Sequence, residues 1–112
     1  MILVRWAVAE NRRTSTRHAV SLPAQLVIAG ATSTCTVVNL SLGGALFSYD
    51  RRLAMGQRCD FRFSIPTLEE PIVIGATVRW SGEQSTGIQF DGFRAREVWA
   101  LNKFFEQLPV AP

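Results

Sequence analysis

The chain has 112 residues, of which 47% are hydrophobic and 19% are charged. This length suffices for one domain with one hydrophobic core, and the composition excludes a disordered chain, which combines low hydrophobicity with high charge. The net charge of +3 is uneven, because four arginines and only one acid, Glu10, fall within residues 1–17. We name residues 12–17 the arginine arm and expect it to attract anions. Residues 1–11 are expected to be a flexible segment that precedes a single domain at 12–112.

Cysteine spacing and hydropathy predict the cellular compartment. Cys35 and Cys59 are too far apart for a CxxC redox or metal pair, so we expect them to be reduced residues of the core. Arg5 and Glu10 interrupt the apolar start of the chain before it reaches the length of a signal-peptide core, and no later run approaches a membrane span. The sequence therefore predicts a cytoplasmic protein without integral membrane contact.

The first half of the chain reads as three strands. Residues 20–28 alternate apolar and polar side chains, and Pro23 within them predicts an edge strand or a bulge because proline has no amide hydrogen. Residues 32–38 are rich in β-branched side chains and read as a second strand. The segment VVNLSLGGALF, 37–47, leads into a third strand at 45–49, although its polar residues and glycines interrupt what otherwise reads as a buried hairpin.

The second half predicts three further strands and a helix. Alternation at 59–65 and 72–80 indicates two strands, and the turn at Ser81-Gly82 leads to a third at 85–90. Beyond it, apolar residues recur every three or four positions, with Asp91 as the expected N-cap and Pro109 as the stop signal. We therefore predict an all-β fold with a C-terminal helix, a six-stranded antiparallel barrel or sandwich rather than a βαβ fold.

Catalytic signatures are weak, and we do not expect an enzyme. His18 is the only histidine and is expected to lie at the surface beside Arg17. Ser41 lacks the preceding glycine that a nucleophile elbow requires, and Glu69-Glu70 reads as a solvated loop. Neither a Walker A loop nor a dinucleotide fingerprint is recognisable, so no cofactor and no metal are predicted.

Two motifs together carry the functional prediction. Residues 13–17 read RTSTR, an RxxxR pattern, and residues 39–44 read NLSLGG, a (D/N)xSxxG pattern about twenty residues later. In their order, spacing and strand context they resemble the PilZ domain family, and the TVRW segment at 77–80, the GIQF strand at 87–90 and the final helix extend the resemblance. The resemblance implies a six-stranded antiparallel PilZ-type barrel that binds the bacterial second messenger cyclic di-GMP.

The resemblance also implies roles for the arginine arm. Guanine presents O6 and N7 as adjacent acceptors that match the fork of an arginine, and arginine also stacks on purines and binds phosphate. Arg13 and Arg17 are therefore expected to clamp guanine and phosphate. Arg12 is expected to contact a second molecule, as PilZ domains with an extra arginine there often hold a stacked dimer of the messenger. The alternative for the arm is a solvated basic tail.

The second motif is expected to form the rigid half of the site. Asn39 and Ser41 are predicted to point outward and bind one guanine, while Gly43 and Gly44 allow its close approach. Turn chemistry alone would also account for these residue types, since both polar side chains can cap local backbone groups and glycine supplies the positive φ that turns need. Because asparagine has a single acceptor oxygen where aspartate has two, Asn39 predicts weaker guanine binding than the aspartate form of the motif.

Two aromatic residues and one arginine complete the candidate residues. Arg79 has outward parity and is expected to supply a further guanidinium to the ligand. Trp80 shares the parity of the core residue Val78, which favours a buried aromatic over a stacking platform. Trp99 lies beside the apolar helix face and would mark a partner contact if it is exposed.

We therefore predict a stand-alone cyclic di-GMP receptor that changes conformation on binding one molecule or a stacked dimer of the messenger. It would signal in trans to an unidentified protein effector that controls motility, polysaccharide synthesis or virulence. The alternative is a PilZ-like adaptor that binds protein partners without needing the messenger. A basic nucleic-acid-binding barrel is disfavoured, because the strands lack the interleaved aromatics of a stacking platform, and no nucleic-acid partner is predicted.

Overall fold

The computed structural model describes residues 16–108, which form six strands and one helix. In chain order they are β1 (His18–Ile28), β2 (Ala31–Leu40), β3 (Gly44–Ser48), β4 (Arg58–Phe63), β5 (Ile72–Ser81), β6 (Ser85–Phe90) and α1 (Ala95–Gln107). The strands close into a barrel in the order β1-β2-β3-β6-β5-β4, and every neighbouring pair is antiparallel. The predicted six-stranded antiparallel barrel with a C-terminal helix is confirmed.

Alternation in the strands fills the barrel with aromatic side chains. On β4, Cys59, Phe61 and Phe63 are buried while Arg58, Asp60 and Arg62 between them are exposed. The ring of Phe61 lies 5.2 Å from that of the core residue Phe47 on β3, and neither side chain is accessible to solvent. Each fully buried phenylalanine contributes about 1.5–3 kcal/mol of hydrophobic stabilisation. The core is therefore built from the inward positions that the period-two pattern predicts.

Helix α1 packs on the barrel through Ala100, Leu101 and Phe104, which are its buried residues. Thr67, in the β4–β5 loop, donates its hydroxyl hydrogen to the carbonyl of Ala100 at 2.7 Å. No helix in residues 16–108 is both long enough and apolar enough to cross a membrane. The helix is held on the barrel by its apolar face and by the hydrogen bond from Thr67.

The predicted N-cap of the helix is wrong. Arg94 is the N-cap, and the carboxylate of Glu97 accepts its backbone N–H at 2.8 Å. Asp91 instead accepts two hydrogen bonds from the guanidinium of Arg58, at 2.7 and 2.6 Å. These bonds lower the pKa of the Asp91 carboxyl below its ordinary value. Asp91 therefore links the end of β6 to β4. The helix begins four residues later, at Ala95.

Three strands contain a one-residue irregularity in their pairing. The register shifts between Ala19 and Leu22 in β1, between Val37 and Asn39 in β2, and between Val78 and Trp80 in β5. Pro23 lies next to the first of these and just outside the part of β1 that pairs with β4, which begins at Ala24. The bulge expected near Pro23 is therefore present, although the strand as a whole is not at an edge.

Both cysteines are free thiols, and of the two only Cys59 is a buried core residue as predicted. Cys59 is buried, and Cys35 is half-buried. Burial raises the pKa of Cys35 to about 12 and that of Cys59 to about 11, because an apolar environment disfavours the thiolate. Both thiols therefore stay protonated and unreactive at neutral pH.

Candidate ligand-binding site on the outer face of the barrel

The loop between β2 and β3 is organised by the hydroxyl of Ser41. Its oxygen accepts the backbone N–H groups of Gly43 and Gly44 at 3.2 and 3.1 Å, and the hydroxyl donates to the carbonyl of Gly44 at 3.2 Å. The backbone N–H of Ser41 donates to the same carbonyl at 2.9 Å. Only 2% of Ser41 is exposed, so the prediction that its side chain points outward is wrong. Ser41 acts instead as a positioning residue that shapes the loop.

The two glycines of this loop do not adopt a left-handed backbone. Among residues 16–108, the glycines with positive φ are Gly30, Gly56 and Gly92, so Gly43 and Gly44 lack the positive φ that turn chemistry would give them. Gly44 pairs with Gln89 of β6, and the backbone N–H of Phe90 donates to the carbonyl of Gly43 at 2.8 Å. The loop is therefore fixed on β6 as well as on β2 and β3.

A bulge in β2 turns Asn39 to the outer face of the barrel. Val37 and Leu40 are both fully buried although three positions separate them, so the two residues between them face outward. Asn39 pairs with Ala19 of β1 and with Leu46 of β3, whose neighbours on both sides are buried. Outward placement of Asn39 agrees with the sequence prediction, and the bulge is its physical cause.

A second bulge, in β5, turns Trp80 to the same outer face. Trp80 pairs with Gly87 of β6, and Gly87 pairs in turn with Leu46. A Cβ atom built on Gly87 would lie 3.8 Å from the Cβ of Trp80 and 3.9 Å from the Cδ1 of Leu46, so these side chains flank the glycine on one face. Trp80 is half-buried and not a core residue, contrary to its parity in the sequence. Arg79, in the bulge, is exposed.

Four adjacent strands therefore present a continuous row of outward residues, which we name the outer row: Asn39, Leu46, Gly87 and Trp80. Asn39 and Trp80 are separated by three strand spacings of about 4.8 Å each. An amide lies at one end and an indole at the other, with an aliphatic side chain and a glycine between them. Such a surface offers hydrogen bonds and an apolar face to a flat, polar ligand.

The arginine arm ends beside this row. Arg17 is half-buried and directly precedes His18, which pairs with Leu40 at the start of the β2–β3 loop. Arg17 already interacts with other groups of the protein. Arg12 and Arg13 lie outside the described residues, as does the segment 1–11. Of the predicted arm residues, the structure brings Arg17 to the loop that Ser41 organises.

A cavity of about 420 Å³ connects the end of the arm, the β2–β3 loop and the helix. It is lined by Thr16, His18, Leu42, Asn102, Phe105 and Glu106. The imidazole of His18 stacks on the ring of Phe105, with centroids 4.0 Å apart and planes 14° from parallel. Burial lowers the pKa of His18 below 6.5, so this face of the helix favours the neutral imidazole. His18 therefore packs against the helix and is half-buried, where a surface position was expected.

Leu46, Gly87 and Gln89 also lie on or beside this surface and were not among the candidates predicted from the sequence. Gln89 is half-buried and pairs with Gly44 on one side and Thr77 on the other, which places it beside the outer row. The pattern of β3 and β6 predicts outward parity for these positions. However, only the pairing of β3 with β6, which β4 and β5 separate in sequence, places them next to the NLSLGG motif.

Comparisons with known proteins identify relatives of this barrel. The model of the PilZ domain family matches residues 11–107. No curated protein sequence matches the chain.

Solved structures match the fold at low sequence identity. The PilZ domain of CeSA from a cellulose-synthesizing bacterium has a TM-score of 0.65 at 18% identity, covering 82% of this chain and 96% of that one. The PilZ domain of YcgR from Escherichia coli, solved with c-di-GMP, has a TM-score of 0.67 at 15% identity, covering 86% and 92%. The inhibitor of motility MotI/DgrA from Bacillus subtilis has a TM-score of 0.67 at 16% identity, covering 88% of this chain and 54% of that one. These likenesses concern the fold.

Proposed function

The chain belongs to the PilZ domain family, and we propose that it is a cytoplasmic receptor for cyclic di-GMP that signals in trans to a partner protein. The observation that carries the proposal is the convergence of Arg17, the Ser41-organised loop and the outer row at one side of the barrel. This supports the proposal that the two motifs, about twenty residues apart in sequence, contribute to a single binding surface.

The chemistry of the ligand fits the residue types on this surface. Cyclic di-GMP carries two phosphodiesters and two guanines, so a receptor must supply positive charge and partners for purine edges. Arg13 and Arg17 would bind guanine O6 and N7 or phosphate, and Arg79 offers a further exposed guanidinium. Asn39 would accept one hydrogen bond from the guanine N1–H or its amino group through its single carbonyl oxygen.

The outer row would hold one guanine. Trp80 provides a ring for stacking, which contributes about 1–3 kcal/mol per base in nucleic-acid complexes. Ser41 would act through the loop, holding Gly43 and Gly44 flat against β6 so that a base can approach the backbone. This assigns Ser41 a positioning role in place of the direct contact predicted from the sequence.

Ligand binding would bring the arginines of the arm onto the messenger and so change the protein surface. When Arg12, Arg13 and Arg17 close over the messenger, the end of the arm moves relative to the β2–β3 loop and the face of α1 around Phe105. Arg12 would contact a second molecule if the messenger binds as a stacked dimer. A partner protein would then recognise the closed form. Proteins of this fold include an inhibitor of motility and a domain of CeSA, which supports motility or polysaccharide synthesis as the regulated process.

Calorimetric titration with cyclic di-GMP tests the proposal. We expect saturable binding by the wild type, and at least a tenfold loss of affinity, about 1.4 kcal/mol, in Arg13→Ala and Arg17→Ala. Arg62→Ala is the matched control, because Arg62 is an exposed arginine on the outer face of β4, away from the site, and should bind like the wild type. Absence of saturable binding by folded wild-type protein would refute the proposal and favour the adaptor function. Tighter binding to single-stranded DNA would indicate a nucleic-acid-binding barrel.

A further inference from the structure

The solvent-facing side of α1 carries a stripe of four residues, Arg96, Trp99, Lys103 and Glu106, which we name the helix stripe. Trp99 is 62% exposed and is the most exposed large hydrophobic residue among residues 16–108. The Nζ atom of Lys103 lies 5.7 Å from the centre of the Trp99 ring and 3.8 Å from the Oε1 atom of Glu106. In the described part of the chain, Arg96 has no ion-pair partner. The stripe thus combines an exposed indole with an unpaired cation.

The stripe is complementary to itself when it is reversed. Its spacings of three, four and three are those of the a and d positions of a helical seam, and in an antiparallel pair each a position faces a d position. Arg96 and Glu106 lie at equal distances on either side of Leu101, as do Trp99 and Lys103. Two antiparallel copies of α1 would therefore place each arginine opposite a glutamate and each indole opposite an ammonium group.

We propose that the helix stripe is the interface of a symmetric homodimer, with two copies of α1 packed antiparallel about a two-fold axis near Leu101. Such an interface is isologous, so every contact occurs twice. It would form two Arg96–Glu106 ion pairs and two contacts between Trp99 and Lys103, and it would bury both indoles. Arg96 gains an ion-pair partner that it lacks among residues 16–108, which favours association over the isolated helix.

The order of charges selects a second copy over other partners. The stripe ends in a cation on one side and an anion on the other, so a uniformly acidic or basic surface would meet a like charge at one end. A reversed copy meets opposite charges at both ends. Arginine and tryptophan are also the residue types that most often dominate binding energy at interfaces.

The geometry limits the strength of this dimer. A helix of 13 residues is about 20 Å long, so the seam buries less area than the roughly 1,200–2,000 Å² of a stable protein interface. We therefore expect a dissociation constant on the order of 10–1,000 µM and weaker association at high salt. Ligand binding at the barrel is not required for it.

Sedimentation analysis of charge-reversal variants tests the proposal. Over about 10 µM to 1 mM at low salt, the wild type should show a monomer–dimer equilibrium. Arg96→Glu and Glu106→Arg should each weaken dimerisation at least tenfold, about 1.4 kcal/mol, by opposing like charges. The double variant R96E/E106R should restore it, because the exchanged charges again face each other. Both changes place charges favourably for the helix dipole, so α1 should stay folded, which circular dichroism checks.

Arg62→Glu is the matched control, because it makes the same charge reversal at an exposed position of β4. It should dimerise like the wild type. A wild type that stays monomeric over this range overturns the proposal. So does a dimer that Arg96→Glu leaves unchanged, or one that the double variant fails to restore.

Discussion

Replacing Ser41 with alanine tests whether this residue shapes the site or contacts the ligand directly. The Ser41 hydroxyl makes three hydrogen bonds inside the β2–β3 loop, two as acceptor and one as donor. The carbonyl of Gly44 keeps the backbone N–H of Ser41 after the substitution, but the N–H groups of Gly43 and Gly44 lose the hydroxyl oxygen. The loss therefore falls on two backbone donors in a buried or partly buried loop.

The expected cost follows from those two donors. A hydrogen bond contributes about 0.5–1.5 kcal/mol net, and a buried donor left without a partner costs about 1–3 kcal/mol. We expect Ser41→Ala to lower the free energy of unfolding by about 1–3 kcal/mol without ligand present. For a domain of this size the corresponding fall in Tm is roughly 4–8 °C per kcal/mol.

Thermal and urea unfolding of ligand-free protein measure this effect. Ser48→Ala is the control, because the hydroxyl of Ser48 is exposed and makes one long hydrogen bond of 3.4 Å to the carbonyl of Thr36. That variant should stay within about 0.5 kcal/mol of the wild type. If Ser41→Ala is as stable as Ser48→Ala but loses messenger binding, Ser41 is a direct ligand contact and the positioning role is wrong.

Three further predictions concern the ligand and the helix. Asn39→Asp should tighten cyclic di-GMP binding, because a carboxylate accepts from both guanine N1–H and its amino group; unchanged or weaker affinity by calorimetry would contradict the proposed pose. Trp80→Leu should weaken binding by about 1–3 kcal/mol through loss of the stacking ring. Trp99→Leu, on the far side of the helix, should bind normally, and equal affinities of the two variants would exclude Trp80 from the site. His18 stabilises the fold in its neutral form, since burial lowers its pKa below 6.5; this stability is present above pH 6.5 and is lost as pH falls through the lowered pKa. Urea unfolding between pH 7.5 and 5 should show a smaller loss in His18→Phe than in the wild type, and identical pH slopes would refute this.

Strand periodicity predicted most of the fold, because barrel interiors select apolar residues at alternate positions. The β4 pattern is the clearest case, since its buried and exposed residues alternate without interruption. The start of the helix was harder to predict. Asp91 has the residue type of an N-cap, yet its carboxylate binds Arg58, which is 33 positions earlier in the chain. The N-cap propensity of Asp91 was overridden by its ion pair with Arg58, which only the closed barrel brings near.

The candidate site was predicted in part. The outward placement of Asn39 was predicted correctly, and register pairing brings Arg17, the end of the arginine arm, to the β2–β3 loop. The predicted direction of the Ser41 side chain was wrong, because its hydroxyl forms hydrogen bonds with the backbone of its own loop. A motif specifies the residue type but not whether that residue serves the backbone or the ligand.

The two bulges explain why the outward placement predicted for Asn39 was correct and the inward placement predicted for Trp80 was wrong. In a regular strand Asn39 would share the inward face of Val37, and Trp80 that of Val78, because side chains repeat every two residues. In each strand one extra residue places two consecutive side chains outside the barrel: Val38 with Asn39, and Arg79 with Trp80. An inward Asn39 would leave a polar amide in an aromatic core, and an inward Trp80 would overfill it. The same irregularity therefore keeps the core apolar and well packed, and supplies both ends of the outer row. Polar residues that interrupt a buried hairpin pattern indicate such a bulge, whereas an outward tryptophan leaves no comparable mark in the sequence.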